Sequence, residues 1–310
     1  MTSADYLTVL TGAHNRTSDD GTYLYTYDDE GNLIRRALKA TPALAMEYAY
    51  DHRNRLIQVT SKNGSAILEQ VNYGYDANNR RVTRTHDADG SGAQASTQEY
   101  FVYDGSDLVL ALDGAAQIEH RYLHGPLVDQ VFADEAFSGG SLAETLWLAA
   151  DQQGTIRDVI DAGGVLRKHI GYDVQGKVID QSWYDASGTA ISSNHSEAVD
   201  QLFYYTGLMQ DDMTGFLRAD NRDYDPELGR WLSEDVIPAS NLYTYANNSW
   251  PNFVDPSGLT PAGNPLNNLF NGGFGGNVVR QENTSLRNIY QTSFAEVCHI
   301  FGMMSHVWLI

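Results

Sequence analysis

Between residues 21 and 181 aromatic and apolar side chains alternate with polar ones in short runs, and each run breaks at an aspartate followed by glycine or asparagine. In "YTYDDEGNLIRR" (25–36), Tyr25 and Tyr27 stand two apart, which places both on one side of a strand. Residues 28–31 suit a four-residue turn. Asp28 can bond backbone groups two residues on, and Gly31 tolerates positive φ. Leu33 then opens a second strand. The pattern predicts a β-hairpin, with almost no helix anywhere before residue 200.

The unit recurs. "YAYDHRNRLIQV" (48–59), "YGYDANNRRVTR" (73–84), "FVYDGSDLVLAL" (101–112), "LAADQQGTIRDV" (148–159) and "IGYDVQGKVIDQ" (170–181) repeat it, and "RYLHGPLVDQVF" (121–132) repeats it with His124 in place of the aspartate. The marker positions are therefore 28, 51, 76, 104, 124, 151 and 173. One hairpin is unstable in water and must be covered by its neighbours. The expected fold is all-β: consecutive antiparallel hairpins over residues 1–200, a turn-rich segment over 201–259, and a different C-terminal extension over 260–310.

Composition sharpens this. Nineteen tyrosines against ten phenylalanines suit half-buried pleated surfaces. The formal charge is −20, and residues 260–310 hold two arginines and two glutamates, so the whole excess belongs to residues 1–259. That argues against nucleic acid as a partner for residues 1–259, because phosphate is repelled. Cys298 is the only cysteine, so no intrachain disulfide is expected. The first ten residues lack a basic region leading into an apolar run, so no signal peptide is visible. The apolar ending from residue 294 is interrupted by Glu296, His299 and His306 and is short for a membrane span. His124, His169 and His195 lack ligand spacing, so neither a metal nor a cofactor is expected.

The recurring Y-x-Y-D-x-x-G-x-L resembles the YD repeat of Rhs (rearrangement hotspot) proteins, teneurins and the C subunits of insecticidal Tc toxins. From Phe203 onward, "TG" at 206–207, "DDMTG" at 211–215, "YDPELGRWLS" at 224–233, "NLYTYANN" at 241–248 and "DPSGL" at 255–259 resemble the Rhs repeat-associated core domain. The resemblance implies a β-strip spiralling into a shell, capped by a core that cuts its own chain after the terminal leucine and releases a C-terminal cargo. It also implies a secreted or cell-surface bacterial effector, with the rest of a β-shell, a secretion-system component and an immunity protein as partners. "TPAGNPLNNLFNGGFGGN" (260–277) reads as a linker to a small or truncated cargo.

The cutting activity implied is that of an intramolecular aspartyl protease. Two carboxylates share one proton: one acts as base on water, the other donates a proton. The pair carried over is Asp235 and Asp255, with Arg222 and Asp223 carried over from the Tc-toxin branch. The cleaved bond joins Leu259 and Thr260. Where the family pattern has proline after the first aspartate, this chain has Val236. Asp225 of "YDPELG" reads as a turn former. The alternatives left open are an inactive structural plug of a YD-repeat shell, and a surface adhesion or carbohydrate-binding protein.

Overall fold

The computed structural model describes residues 10–263 except Ser91. The apolar ending and Cys298 lie outside those residues. Seventeen strands form one sheet, from Leu10–Thr11 to Ala190–Ile191. Each strand pairs antiparallel with the next, so the sheet is a continuous meander of hairpins. Among the described residues the only helical turns are three short 3₁₀ segments. None is long and apolar enough to cross a membrane.

The turn chemistry explains the regularity. At Asp28, Asp51, Asp76, Asp113, Asp151, Asp161, Asp173 and Asp185 the aspartate N–H bonds the carbonyl four residues on. In each, its Oδ1 accepts the N–H of that same residue. The fourth position of the loop has positive φ in all eight, and is glycine or asparagine except at Ala116 (φ 59°). Three of these loops, at Asp113, Asp161 and Asp185, lie at the opposite end of the strands from the marker turns. The sequence carries the same signal there, although Ala116 lacks the usual residue type.

One marker shifts. Gly125, rather than His124, holds the aspartate's place, its N–H bonding the Gln130 carbonyl at 2.8 Å. His124 stands at the second tyrosine position and does that residue's work. Tyr75, Tyr103 and Tyr172 each donate to the backbone carbonyl of the preceding hairpin, at Leu56, Arg81 and Ile156, over 2.7, 2.8 and 2.9 Å. His124 Nε2–H donates to Leu108 in the same way, at 2.6 Å. A hydroxyl or imidazole thus bolts each of these hairpins to the one before.

The first tyrosine of each pair is buried (Tyr25, Tyr48, Tyr73, Tyr122), and what buries it is residues 201–259. Four short strands of that segment, between Met209–Gln210 and Arg230–Trp231, form a small sheet, and a fifth, Phe253–Val254, pairs with Ala262–Gly263. The segment's apolar side chains enter all three cores found among the described residues. Phe203 and Met209 join the core around Tyr122 and Val159, Tyr224 and Trp231 that around Ile170, and Phe216 and Leu232 that around Tyr48 and Val71. Backbone bonds tie it down as well, from Leu33 N–H to Leu232 and from Ile156 N–H to Tyr204. Hairpins and covering segment accordingly belong to one compact unit.

Charge follows the same route. Arg16 reaches Glu234 at 2.9 Å, Arg36 reaches Asp225 at 3.3 Å, Arg81 reaches Asp223 at 2.9 Å and Arg84 reaches Asp211 at 2.8 Å.

Two substitutions separate turn strain from docking. An alanine Cβ at Gly164 meets open space, while at Gly176 it lands 2.4 Å from the Tyr205 ring. Both positions have positive φ, costing about 1–2 kcal/mol for alanine. Gly176→Ala should cost about 1–3 kcal/mol beyond Gly164→Ala through overpacking, read as urea midpoints. Ala116→Gly should raise stability by up to about 1 kcal/mol by relieving the same strain. Equal losses at Gly164 and Gly176 would show that the covering segment does not dock there.

Candidate active site

The "DPSGL" loop is built by local bonds. Gly258 N–H returns to the Asp255 carbonyl at 3.3 Å, and Asp255 Oδ1 accepts the Leu259 N–H at 3.2 Å and the Ser257 hydroxyl at 3.1 Å. Gly258 sits at φ 67°, and a Cβ there would press on the Arg222 backbone and Ala219 at 3.1–3.3 Å. That close approach lets the loop lie along residues 220–222. Asp220 and Asn221 N–H groups bond the Pro256 and Ser257 carbonyls.

Arg222 is the hub. It is 5% exposed and its guanidinium stacks over Trp231 at 4.5 Å. Its Nε–H donates to the Gly258 carbonyl and its Nη1–H to that of Leu242. Its Nη2 meets Asp235 Oδ2 at 2.5 Å and lies 3.9 Å from Asp255 Oδ2. The two carboxylates therefore flank one guanidinium nitrogen, and their nearest oxygens are no farther apart than those two distances laid end to end. Asp255 is 1% exposed, and burial pushes its carboxyl above the ordinary range while Arg222 opposes the shift.

Asp235 is placed by a bend that it makes itself. Its Oδ1 accepts the Ile237 N–H at 2.8 Å, and its own N–H bonds the Leu242 carbonyl. Val236 is exposed, so the side-chain-capped bend takes the place of the missing proline.

The remaining carboxylates lie elsewhere. Asp223 does not join this cluster: its oxygens bind Arg81 at 2.9 Å and Arg218 at 3.0 Å. Neighbouring residues on an extended chain point to opposite sides, and Arg222 takes the side facing Asp235. Asp225 makes a turn, accepting the Glu227 and Leu228 N–H groups, and burial pushes it up to about 6 against the pull of Arg36. Thr260 is exposed and Leu259 half-buried. Sequence reasoning missed Ser257 and Tyr245, although both lie in quoted motifs. The buried Tyr245 hydroxyl accepts the Asp255 N–H at 3.3 Å and so fixes the loop's start. Among the described residues no group of three or more His, Cys, Asp or Glu is placed to hold a metal.

A meander of Tyr-Asp hairpins covered by such a turn-rich segment is the architecture of a YD-shell protein. The teneurin YD-shell pattern matches residues 142–254 and the RHS repeat pattern residues 50–91. The chain belongs to the Rhs, or YD-repeat, family. It is 27% identical over 252 residues to double-stranded DNA deaminase toxin A of Burkholderia cenocepacia (strain H111), covering 76% of this chain and 17% of that protein. It is 28% identical over 252 residues to tRNA nuclease WapA of Bacillus subtilis (strain 168), covering 79% and 9%. Teneurin-3 of Danio rerio is 25% identical over 247 residues, covering 74% and 8%. The crystal structure of TcdB2-TccC3 superposes with a TM-score of 0.52 at 18% identity, covering 76% of this chain and 14% of that one. The Photorhabdus luminescens Tc holotoxin pore gives 0.53 at 18%, covering 83% and 14%. The chain spans less than a fifth of the length of each.

Asp223 and Asp212 test which carboxylates hold the structure. Asp223→Ala leaves Arg81 and Arg218 buried without their partner and should cost about 3–5 kcal/mol. Asp212 also binds Arg84, but its side chain is 73% exposed, and Asp212→Ala should cost no more than about 1 kcal/mol. Urea unfolding followed by tryptophan fluorescence reads both, and comparable losses would contradict the assignment.

Proposed function

We propose that residues 201–259 are an intramolecular aspartyl protease that caps the YD-repeat strip and hydrolyses the bond between Leu259 and Thr260. The observation that carries this reading is the single Arg222 nitrogen between Asp235 and Asp255, on the loop that leads into that bond. Asp235, paired with Arg222, acts as the base on water. Asp255 supplies the proton, a role that suits a buried carboxyl whose ionised form is disfavoured. Asp255 lies four residues before Leu259 on a loop fixed by its own bonds, so proximity replaces substrate binding. Asp223 has no part in the chemistry and secures the cap to the sheet.

On this reading the chain is the C-terminal part of a polymorphic toxin, and the segment after Leu259 is the released cargo. The toxin and nuclease names of several relatives, and the small share of each that the chain spans, support that placement. The remainder of a β-shell and an immunity protein would be its partners, and the producing bacterium would deliver it to its surface or beyond. A second reading, a cap without catalysis, draws on the entry of residues 203–232 into all three cores, which serves structure whether or not the bond breaks.

Mass spectrometry of the freshly folded chain separates the two readings. Cleavage should yield fragments 1–259 and 260–310 with a first-order rate independent of protein concentration. Asp235→Asn and Asp255→Asn should each slow it by about 10²–10⁴. Because burial holds the proton on Asp255, the rate should fall as pH rises from mildly acidic toward alkaline values. Intact wild-type mass after prolonged incubation across that range would establish the inactive cap.

A further inference from the structure

The breaking of a peptide bond needs a proton at the departing nitrogen, and at this bond that atom is Thr260 N. Its N–H points at the Ser257 hydroxyl oxygen, 3.4 Å away, and the Leu259 N–H meets the same oxygen at 3.2 Å. The Ser257 hydroxyl in turn donates to Asp255 Oδ1 at 3.1 Å. A continuous hydrogen-bonded line therefore runs from the Asp255 carboxyl through Ser257 Oγ to the leaving nitrogen. On this loop Asp255 Oδ1 accepts from the Ser257 hydroxyl and the Leu259 amide, while its Oδ2 faces Arg222.

We infer that Ser257 is a proton relay that carries the proton of Asp255 to the nitrogen of Thr260 as the bond breaks. The inference rests on the proposed cleavage. Water adds to the Leu259 carbonyl carbon, forming a C–O bond while Asp235 takes a water proton. The C–N bond then breaks and its electron pair stays on Thr260 N. Once amide resonance is lost that nitrogen is pyramidal, and inversion turns its lone pair toward Ser257 Oγ. The hydroxyl gives up its proton there and receives one from Asp255. The products are a carboxyl group on Leu259 and an amine on Thr260, with Asp235 protonated and Asp255 ionised. Proton exchange with water restores both aspartates.

Ser257 is half-buried, and its backbone carbonyl, which binds Asn221, is untouched by side-chain changes. The test uses the full chain, with fragments quantified by mass during folding. Ser257→Ala should slow cleavage by about 10–10²-fold, at or below the lower end of general-acid effects because the Asp255 carboxyl remains. Ser257→Thr, which keeps the hydroxyl, should recover most of the rate. In mixtures of light and heavy water the wild-type rate should bow below a straight line, as for two protons in flight, and the alanine variant should follow a straight line. A wild-type rate and curve in Ser257→Ala would overturn the relay alone, with cleavage intact. So would equal slowing in the alanine and threonine variants, which would mark a role in shaping the turn. A wild-type chain that stays whole would overturn both the relay and the protease reading.

Discussion

Arg36, Arg81 and Arg84 stand on strands of the hairpin sheet and Arg16 just before one, yet each finds a carboxylate on the segment that covers the sheet. A guanidinium removed from water without its partner costs several kcal/mol, and so does the stranded carboxylate. Neither half of the protein can bury its tyrosines without the other half neutralising these charges. Such pairs add little net stability compared with apolar packing. Their value here is positional. A covering segment that slid along the sheet by one hairpin would take four arginines from their partners on it at once, so the pairs single out one seating among several that apolar contact alone would tolerate.

That seating also creates the candidate site. Residues 220–222 lie where Asp223 is drawn toward Arg81 and Arg218, and the alternation of an extended chain then turns Arg222 the other way, beneath Asp235 and Asp255. The arginine that lies between Asp235 and Asp255 and the aspartate that anchors the segment are adjacent in sequence and divided in task. A disturbance of the anchor would be felt at the candidate site without any change in Arg222, Asp235 or Asp255.

Much of the fold was legible because the hairpin turns are closed by local chemistry. An aspartate whose side chain bonds the residue four places on and a glycine or asparagine with positive φ announce themselves within five letters. The misplaced marker at His124 has a plain reason: Gly125 carries no side chain to reveal its place, and an imidazole does a tyrosine's work. The turn at Asp113 was obscured by an alanine in a conformation that alanine resists. The covering segment's position could not be read from spacing, since its anchors join residues as far apart as Arg81 and Asp223. At the site, motif resemblance drew Arg222, Asp235 and Asp255 together. Strand alternation alone says that Arg222 and Asp223 cannot both face Asp235 and Asp255. The Ser257 hydroxyl joins Asp255 to the Leu259 and Thr260 amides through hydrogen bonds that no string of letters records.

The bolts between successive hairpins have a consequence in time. Each hairpin can form as soon as it is synthesised, because its turn and its tie to the preceding carbonyl use residues already made. The segment that covers them is made afterwards. At roughly 5–20 residues per second, several seconds pass between the last hairpin and the end of the "DPSGL" loop, during which a row of tyrosines, and arginines that still lack their partners on the covering segment, faces water. Over that interval the nascent strip is a sticky, cationic surface on an otherwise acidic chain. Whatever shields it, whether ribosome, chaperone or an earlier part of the same polypeptide, must let go in favour of a segment that arrives last.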